Sequence, residues 1–255
     1  MKLMNIEHLH KSFGGLSAVL DFNAHLEERE LIGLIGPNGA GKTTVFNLIT
    51  GVYKPDEGTI RFADQNITGL PPYEICRRGI ARTFQNIRLF NDLTVLDNVR
   101  IALHKDVQYP LLSAVLRIPS FFKGEDEIEE KAEQFLKIFN LDDKRYEKAS
   151  SLPYGEQRRL EIARALATNP RMLILDEPAA GMNPNETAEL MELIRSIREQ
   201  FHLTILLIEH DMSLVMGVCE RIYVLDYGQI IAEGSPEEIR NNKRVIEAYL
   251  GEEVS

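Results

Sequence analysis

The stretch Gly36-Pro37-Asn38-Gly39-Ala40-Gly41-Lys42-Thr43-Thr44 constrains this chain more than any other. It fits G-x-x-x-x-G-K-[ST] and lies between the apolar run Leu31 to Gly36 and a helical segment. A short buried strand that runs into a glycine-rich turn and then a helix is the frame in which backbone N–H groups converge on phosphate oxygens. Within it Lys42 reaches the β- and γ-phosphates, and the Thr43 hydroxyl is offered to Mg²⁺. With glycine near 7% of average usage, the four fixed positions match by chance in about one chain of this length in a hundred.

A nucleotide with its metal needs a carboxylate for the metal's outer sphere, and hydrolysis needs a group that orients water. "LILDEP" supplies both: an apolar strand delivers Asp176 and Glu177 to its C-terminal edge, where ligands bind in open α/β sheets. Asp176 is assigned to magnesium through water and Glu177 to the attacking water as general base.

The same runs fix the fold class. "RMLILDE" (171–177) and "LTILLIE" (203–209) are continuous and apolar, as strands buried on both faces should be. Between them Leu190, Leu193, Ile194, Ile197 and Phe201 fall on one helical face behind Asn183 as N-cap and Pro184 at the first helical position. Strand, helix, strand predicts a βαβ unit and a parallel sheet. Ahead of "LIGLIG" and around "GTIRF" (58–62) short strands with turns predict a smaller antiparallel sheet. From about Leu93 to Gln157 the pattern turns helical, with Ile128, Ala132, Phe135, Leu136 and Phe139 on one stripe. Ser235 in "GSPEEI" reads as another N-cap, with acids in the first turn.

Composition excludes several partners. The 29 basic and 39 acidic residues leave a formal charge of −10, which opposes non-specific nucleic-acid binding. Cys76 and Cys219 have no metal-ligand spacing, so a reducing compartment and no bound transition metal are expected. The N-terminal "MKLMNIEHLHKSF" lacks a signal peptide's apolar core, and a cytosolic protein is expected. The most membrane-like run, Val107 to Phe122, is shorter than the roughly 20 residues a spanning helix needs and carries Arg117, Pro110 and Pro119. A packed helical hairpin is expected there, with an apolar segment facing a partner as the alternative. "NNKR" (241–244) lacks the aspartate of a guanine-reading motif, which removes the GTPase reading, and the basic, aromatic-lined groove of a strand translocator is missing too.

Taken in order, further residues carry a resemblance. Gln85 in "TFQ", "LPYGEQRRLEIARAL" (152–166) shortly before the Asp-Glu strand, "AAGMNP" (179–184), His210 in "IEHD" and Phe13 in "KSFGG" match the Q-loop, signature, D-loop, switch histidine and adenine-stacking aromatic of the ABC-type ATPases. Along essentially the whole chain the sequence resembles that family. More narrowly, "RTFQNIRLFNDLTVLDNVRIALH" and "EGSPEEIRNNKRVIEAYLG" are similar to ATPase subunits of branched-chain (hydrophobic) amino-acid importers.

The resemblance implies one ATPase domain over 1–255: a RecA-like P-loop core with its β subdomain over 1–92 and 158–255, and a helical subdomain over 93–157 carrying the signature. It implies ATP and Mg²⁺ as ligands, with Phe13 on the adenine and Gly36, Pro37, Asn38, Gly39, Ala40, Gly41, Lys42, Thr43 and Thr44 around the phosphates. Thr43, Gln85 and Asp176 face magnesium; Lys42, Gln85, Glu177 and His210 serve hydrolysis, with His210 holding the γ-phosphate and the attacking water. A second ATPase subunit, identical or sister, pairs head to tail, so that Tyr154, Gly155 and Glu156 meet its ATP in trans. Permease subunits meet Gln85 to Leu96, a substrate-binding protein acts through them, and the motor sits on the cytoplasmic face of the membrane.

Two departures stand out. The family signature is Leu-Ser-Gly-Gly-Gln; Pro153 and Tyr154 replace its serine and first glycine, which leaves Gly155 and the amides after it as donors. Asn183 stands where the D-loop carries aspartate and reads as a helix cap. Alternatives are the motor of a lipopolysaccharide-type exporter and a soluble, non-transport ABC ATPase.

Overall fold

The computed structural model describes residues 2–106 and 119–250, so most of the apolar run Val107 to Phe122 lies outside the described residues. The chain divides into two compact units, Met1–Arg82 with Arg171–Ser255, and Thr83–Pro170.

In chain order the first unit contains β1 (Lys2–Phe13), β2 (Leu16–Glu27), β3 (Leu31–Ile35), α1 (Lys42–Ile49), β4 (Glu57–Phe62), β5 (Gln65–Asn66), α2 (Pro72–Arg77) and β6 (Ile80–Arg82). The second contributes α3 (Val95–Leu103), α4 (Pro119–Ile138) and α5 (Tyr154–Leu166). The chain then returns to the first through β7 (Met172–Asp176), α6 (Pro184–Phe201), β8 (Thr204–Ile208), α7 (Met212–Val218), β9 (Arg221–Asp226), β10 (Gln229–Gly234), α8 (Pro236–Arg240) and α9 (Lys243–Leu250).

The main sheet runs β10-β9-β3-β8-β7-β6, with β9, β3, β8, β7 and β6 parallel and β10 antiparallel at the edge. Every residue of β3, β7 and β8 is buried, which is why these strands read as unbroken apolar runs rather than alternating ones. Because they are parallel, their C-terminal ends share one edge. The register Asp176↔Ile208 on β7 and β8 and Leu34↔Ile208 on β3 and β8 puts Asp176 two strands from the start of the phosphate loop.

The second sheet is antiparallel, in the order β2-β1-β4-β5. Its first two strands are 12 residues each, longer than the short strands expected. Register shifts between Ile6 and Leu9 and between Leu9 and Lys11, with His8 at a φ of 50°, break the apolar alternation and disguise their length. Leu9, Phe22, Phe46, Ile60, Phe62 and Leu225 join one buried cluster that includes side chains of both sheets and α1.

α6 opens as expected. Asn183 Oδ1 accepts from the amides of Asn185 and Glu186, and Glu186 returns a bond to the Asn183 amide, closing a capping box. Leu190, Ile194 and Ile197 are buried beneath it. Ser235 caps α8 in the same way.

In the second unit no strand occurs among the described residues. Ile128, Ala132 and Leu136 of α4, with Phe139 just beyond it, form a buried stripe. The Thr94 hydroxyl accepts the Asp97 amide at the start of α3. This unit reaches beyond the 93–157 expected from helical periodicity at both ends. At one end α5 runs on to Leu166, and at the other its Arg158 and Glu161 bond the backbone at 84–88. Among the described residues no helix is long and apolar enough to cross a membrane.

Candidate functional site

The loop from Gly36 to Gly41 joins the end of β3 to the start of α1. Two of its glycines are required by space and backbone together: at Gly36, with φ 150°, a Cβ would stand 2.0 Å from the Leu225 carbonyl oxygen. At Gly41, with φ 104°, it would stand 2.4 Å from that of Ala18. Lys42 is buried, its ammonium folded across the loop and donating to the carbonyls of Gly36 (2.6 Å) and Pro37 (2.8 Å). Thr43 is exposed on the first turn of α1, Thr44 is half-buried beside it, and Asn38 and Gly39 are exposed at the tip while Pro37 and Ala40 are buried.

Asp176 ends β7, largely buried, with Oδ2 3.2 Å from Arg82 Nη2. The same guanidinium donates through Nη1 to Asn47 Oδ1 (2.8 Å) and Thr50 Oγ1 (3.0 Å), and its centre lies 5.0 Å from the Phe46 ring. Arg82 therefore ties the acidic strand end to α1, the helix that begins at the phosphate loop. Sequence reasoning missed it; the signal available was a lone arginine one residue before "TFQ".

Glu177 takes a left-handed backbone, φ 44°, rarely adopted by a residue with a side chain, and its amide donates to Ile208 O at 2.8 Å. That bond to β8 holds the turn that lifts its carboxylate off the strand. His210 Nδ1 lies 3.7 Å from Glu177 Oε2 and 3.8 Å from Glu209 Oε2.

Glu209, also missed, is fully buried. Its Oε1 accepts the Ala179 amide (2.7 Å), and its Oε2 accepts those of His210 (3.0 Å) and Asp211 (3.2 Å). Burial pushes its carboxyl above the ordinary value against the opposing pull of those amides. One buried side chain thus brackets the segment after Glu177 and the segment carrying His210. Phe13, at the end of β1, is exposed and meets Tyr53 edge-on with ring centroids 5.2 Å apart, while the Lys11 ammonium lies 5.3 Å from its centroid. Tyr53 is a further aromatic that no motif flagged.

In the second unit Gln85 is exposed, and its carbonyl accepts from Arg158 Nη2 at 2.8 Å. α5 begins at Tyr154 with Pro153 in the N-cap position, where no side chain caps the helix. The amides of Tyr154, Gly155 and Glu156 are therefore the first-turn donors that have no intrahelical acceptor, and they form an anion-facing end. Glu156 holds Lys144 with both oxygens at 2.7 Å, and this hydrogen bond pushes the lysine up from its ordinary value. The Glu156 carboxylate is thus occupied by Lys144, and its backbone amide is the donor it contributes to the helix N-terminus.

A glycine loop at a parallel-sheet edge, with a histidine just past the neighbouring strand and two acids at the end of the strand beyond it, defines a P-loop nucleoside-triphosphatase domain. Residues 19–180 match the family described as "ABC transporter", and residues 229–255 match the "Branched-chain amino acid ATP-binding cassette transporter" family. The chain belongs to the ABC transporter family as an ATP-binding subunit, and it is an ATPase.

Among its relatives is the high-affinity branched-chain amino acid transport ATP-binding protein LivG of Escherichia coli (strain K12), 52% identical, with 98% of each chain covered. The lipopolysaccharide export system ATP-binding protein LptB of Haemophilus influenzae is 36% identical, with 99% of each chain covered. Among solved structures, the ADP conformation of MJ1267, an ATP-binding cassette of an ABC transporter, superposes with a TM-score of 0.86. It is 34% identical, with 98% of this chain and 99% of that one covered.

Proposed function

We propose that this chain is the Mg·ATP-driven motor of an importer for branched-chain, hydrophobic amino acids, acting as a head-to-tail nucleotide sandwich on the cytoplasmic face of the membrane. The observation that carries the chemistry is Glu177, lifted off the end of β7 by its left-handed backbone, with His210 3.7 Å away. Support for the direction of transport and the class of cargo comes from the 52% identity to an importer subunit against 36% to an exporter subunit. The match of residues 229–255 points the same way.

Each residue has a task in this reading. Phe13 stacks on the adenine, and the loop amides with Lys42 bind the phosphates. Thr43 and Gln85 are oxygen donors of the kind Mg²⁺ takes when phosphates and waters complete its shell, and Asp176 would hold the metal through one of those waters. The metal, when bound, neutralises charge that develops on the transferred phosphoryl group. Glu177 accepts a proton from the attacking water, and His210 orients that water and holds the γ-phosphate. The first-turn amides of α5 at Tyr154, Gly155 and Glu156 meet the γ-phosphate of the opposing subunit's ATP. The segment Gln85 to Leu96 faces the permease, which a substrate-binding protein loads from the other side.

The test is affinity capture of the tagged chain from detergent-solubilised membranes, followed by ATPase assays with leucine, isoleucine and valine in the presence of the captured partners. Recovery of a permease and turnover raised by those amino acids is expected. Capture of an export permease instead, or turnover raised by nucleic acid with no membrane partner, overturns the assignment.

A further inference from the structure

Two charges lie entirely inside the second unit. Arg158 and Glu161, one turn apart on α5, are 0% and 1% exposed and pair at 2.7 Å. Their other hydrogen bonds reach two segments. Arg158 Nη1 donates to Phe84 O (2.6 Å), and Nη2 donates to Gln85 O (2.8 Å) and to the Tyr154 hydroxyl (3.2 Å). Glu161 Oε1 accepts the amides of Arg88 (3.1 Å) and Phe84 (3.4 Å). The pair thus holds both backbone polar groups of Phe84, adds the Gln85 carbonyl and the Arg88 amide, and bonds the hydroxyl of the first residue of α5. Further along the same loop the buried Asn98 of α3 fastens Phe90 in the same manner, donating to its carbonyl (3.1 Å) and accepting its amide (2.9 Å).

A buried ion pair is a poor device for stability alone. Desolvation consumes most of the attraction, and well-packed apolar side chains of similar volume usually serve as well or better. Burial does push the Glu161 carboxyl above its ordinary value, against the pull of Arg158 and the two amides. What apolar side chains cannot do is bond five groups in two separate segments and keep them in one fixed relation.

We propose that Arg158 and Glu161 are positioning residues: they make the 84–88 backbone and the start of α5 move as one body, so that displacement of the permease-facing loop displaces the amides at Tyr154 to Glu156, and the reverse. This rests on the sandwich reading above, in which those amides meet the opposing subunit's ATP. Neither side chain touches nucleotide in that arrangement.

The link can be read in the full chain without a permease. In the Glu177→Gln background, which holds ATP unhydrolysed, amide hydrogen exchange is followed by mass spectrometry over residues 86–92 and 154–160, with and without Mg·ATP, while light scattering reports the dimer. With the native pair, Mg·ATP slows exchange in both segments. With Arg158→Met and Glu161→Leu together, slowing at 154–160 remains and slowing at 86–92 is lost. Because the quantity read is the nucleotide-induced difference, a pair that merely stabilises the fold leaves it unchanged. Should the double variant fail to fold, Arg158→Lys takes its place: one ammonium cannot bracket the two carbonyls as the planar fork does. The response at 86–92 then falls below that of the native pair.

An unchanged response at 86–92 in whichever variant is used overturns the proposal, as does a native dimer in which only 154–160 responds. A Glu177→Gln chain with the pair intact that forms no dimer with Mg·ATP, either alone or with the captured partner ATPase, overturns the sandwich reading itself, and the link with it; the light-scattering arm distinguishes the two failures.

Discussion

His210 Nδ1 stands 3.7 Å from the carboxylate of Glu177 and 3.8 Å from that of Glu209, one acid lifted off a strand end and the other fully buried. The exposed imidazole is thereby held beside the proposed base by a backbone whose amides at 210 and 211 are bonded to Glu209. His210→Ala removes the group proposed to orient water while leaving the phosphate loop intact. Steady-state kinetics should show kcat lowered on the order of 10²- to 10⁴-fold with the KM for ATP little changed; a KM effect alone contradicts the assigned role.

Glu209 receives three N–H donors on its two oxygens, so an amide in its place turns an NH₂ group against at least one of them. Glu209→Gln is expected to cost about 1–3 kcal/mol of stability, the penalty of a buried polar group facing the wrong partner. Urea denaturation measures it, and kcat should fall in the same variant because the backbone carrying His210 is released. A stable variant with native turnover would show that the bracket is dispensable.

Phe13 offers an exposed ring supported edge-on by Tyr53. Base–aromatic stacking is typically worth ~1–3 kcal/mol, so Phe13→Ala should raise the KM for ATP about tenfold and leave kcat near native. Equal KM values for ATP and for the triphosphate of a smaller base in the native chain would argue against stacking.

The variant signature makes a contrasting pair. Pro153 sits in the N-cap position of α5 and contributes no hydroxyl and no amide hydrogen, so Pro153→Ala should leave turnover close to native. Gly155→Asp sets a carboxylate beside the amides proposed to meet the opposing γ-phosphate, and turnover should be lost while each chain still binds ATP. Normal hydrolysis by Gly155→Asp would remove α5 from the site.

How much of this was legible depended on whether the relevant physics is local. β3, β7 and β8 were readable because a parallel strand buried on both faces must be apolar at every position. The phosphate loop was readable because its glycines answer to backbone approaches of a few ångström. β1 and β2 were read too short because bulges shift the face on which side chains fall. Arg82, Arg158, Glu161 and Glu209 look like ordinary polar residues in sequence. Asp176 lies 94 positions from Arg82, Phe84 lies 74 from Arg158, Arg88 lies 73 from Glu161 and Ala179 lies 30 from Glu209, distances at which no periodicity signals a pairing. Charge beside a motif was the available sign in "RTFQ" and "IEHD", and neither revealed what the charge would hold.

The central claim, that two copies or sister chains close over ATP before Glu177 acts, is tested most directly by Glu177→Gln. The substitution keeps the shape of the side chain and removes its capacity to accept a proton, so ATP is bound but not consumed. With saturating Mg·ATP, multi-angle light scattering should show the mass of the Glu177→Gln chain double, and return to that of one chain when ATP is replaced by ADP. A mass that stays at one chain under saturating Mg·ATP contradicts the account for a homodimeric sandwich. If the same result is obtained in the presence of the captured partner ATPase, it contradicts the sandwich altogether.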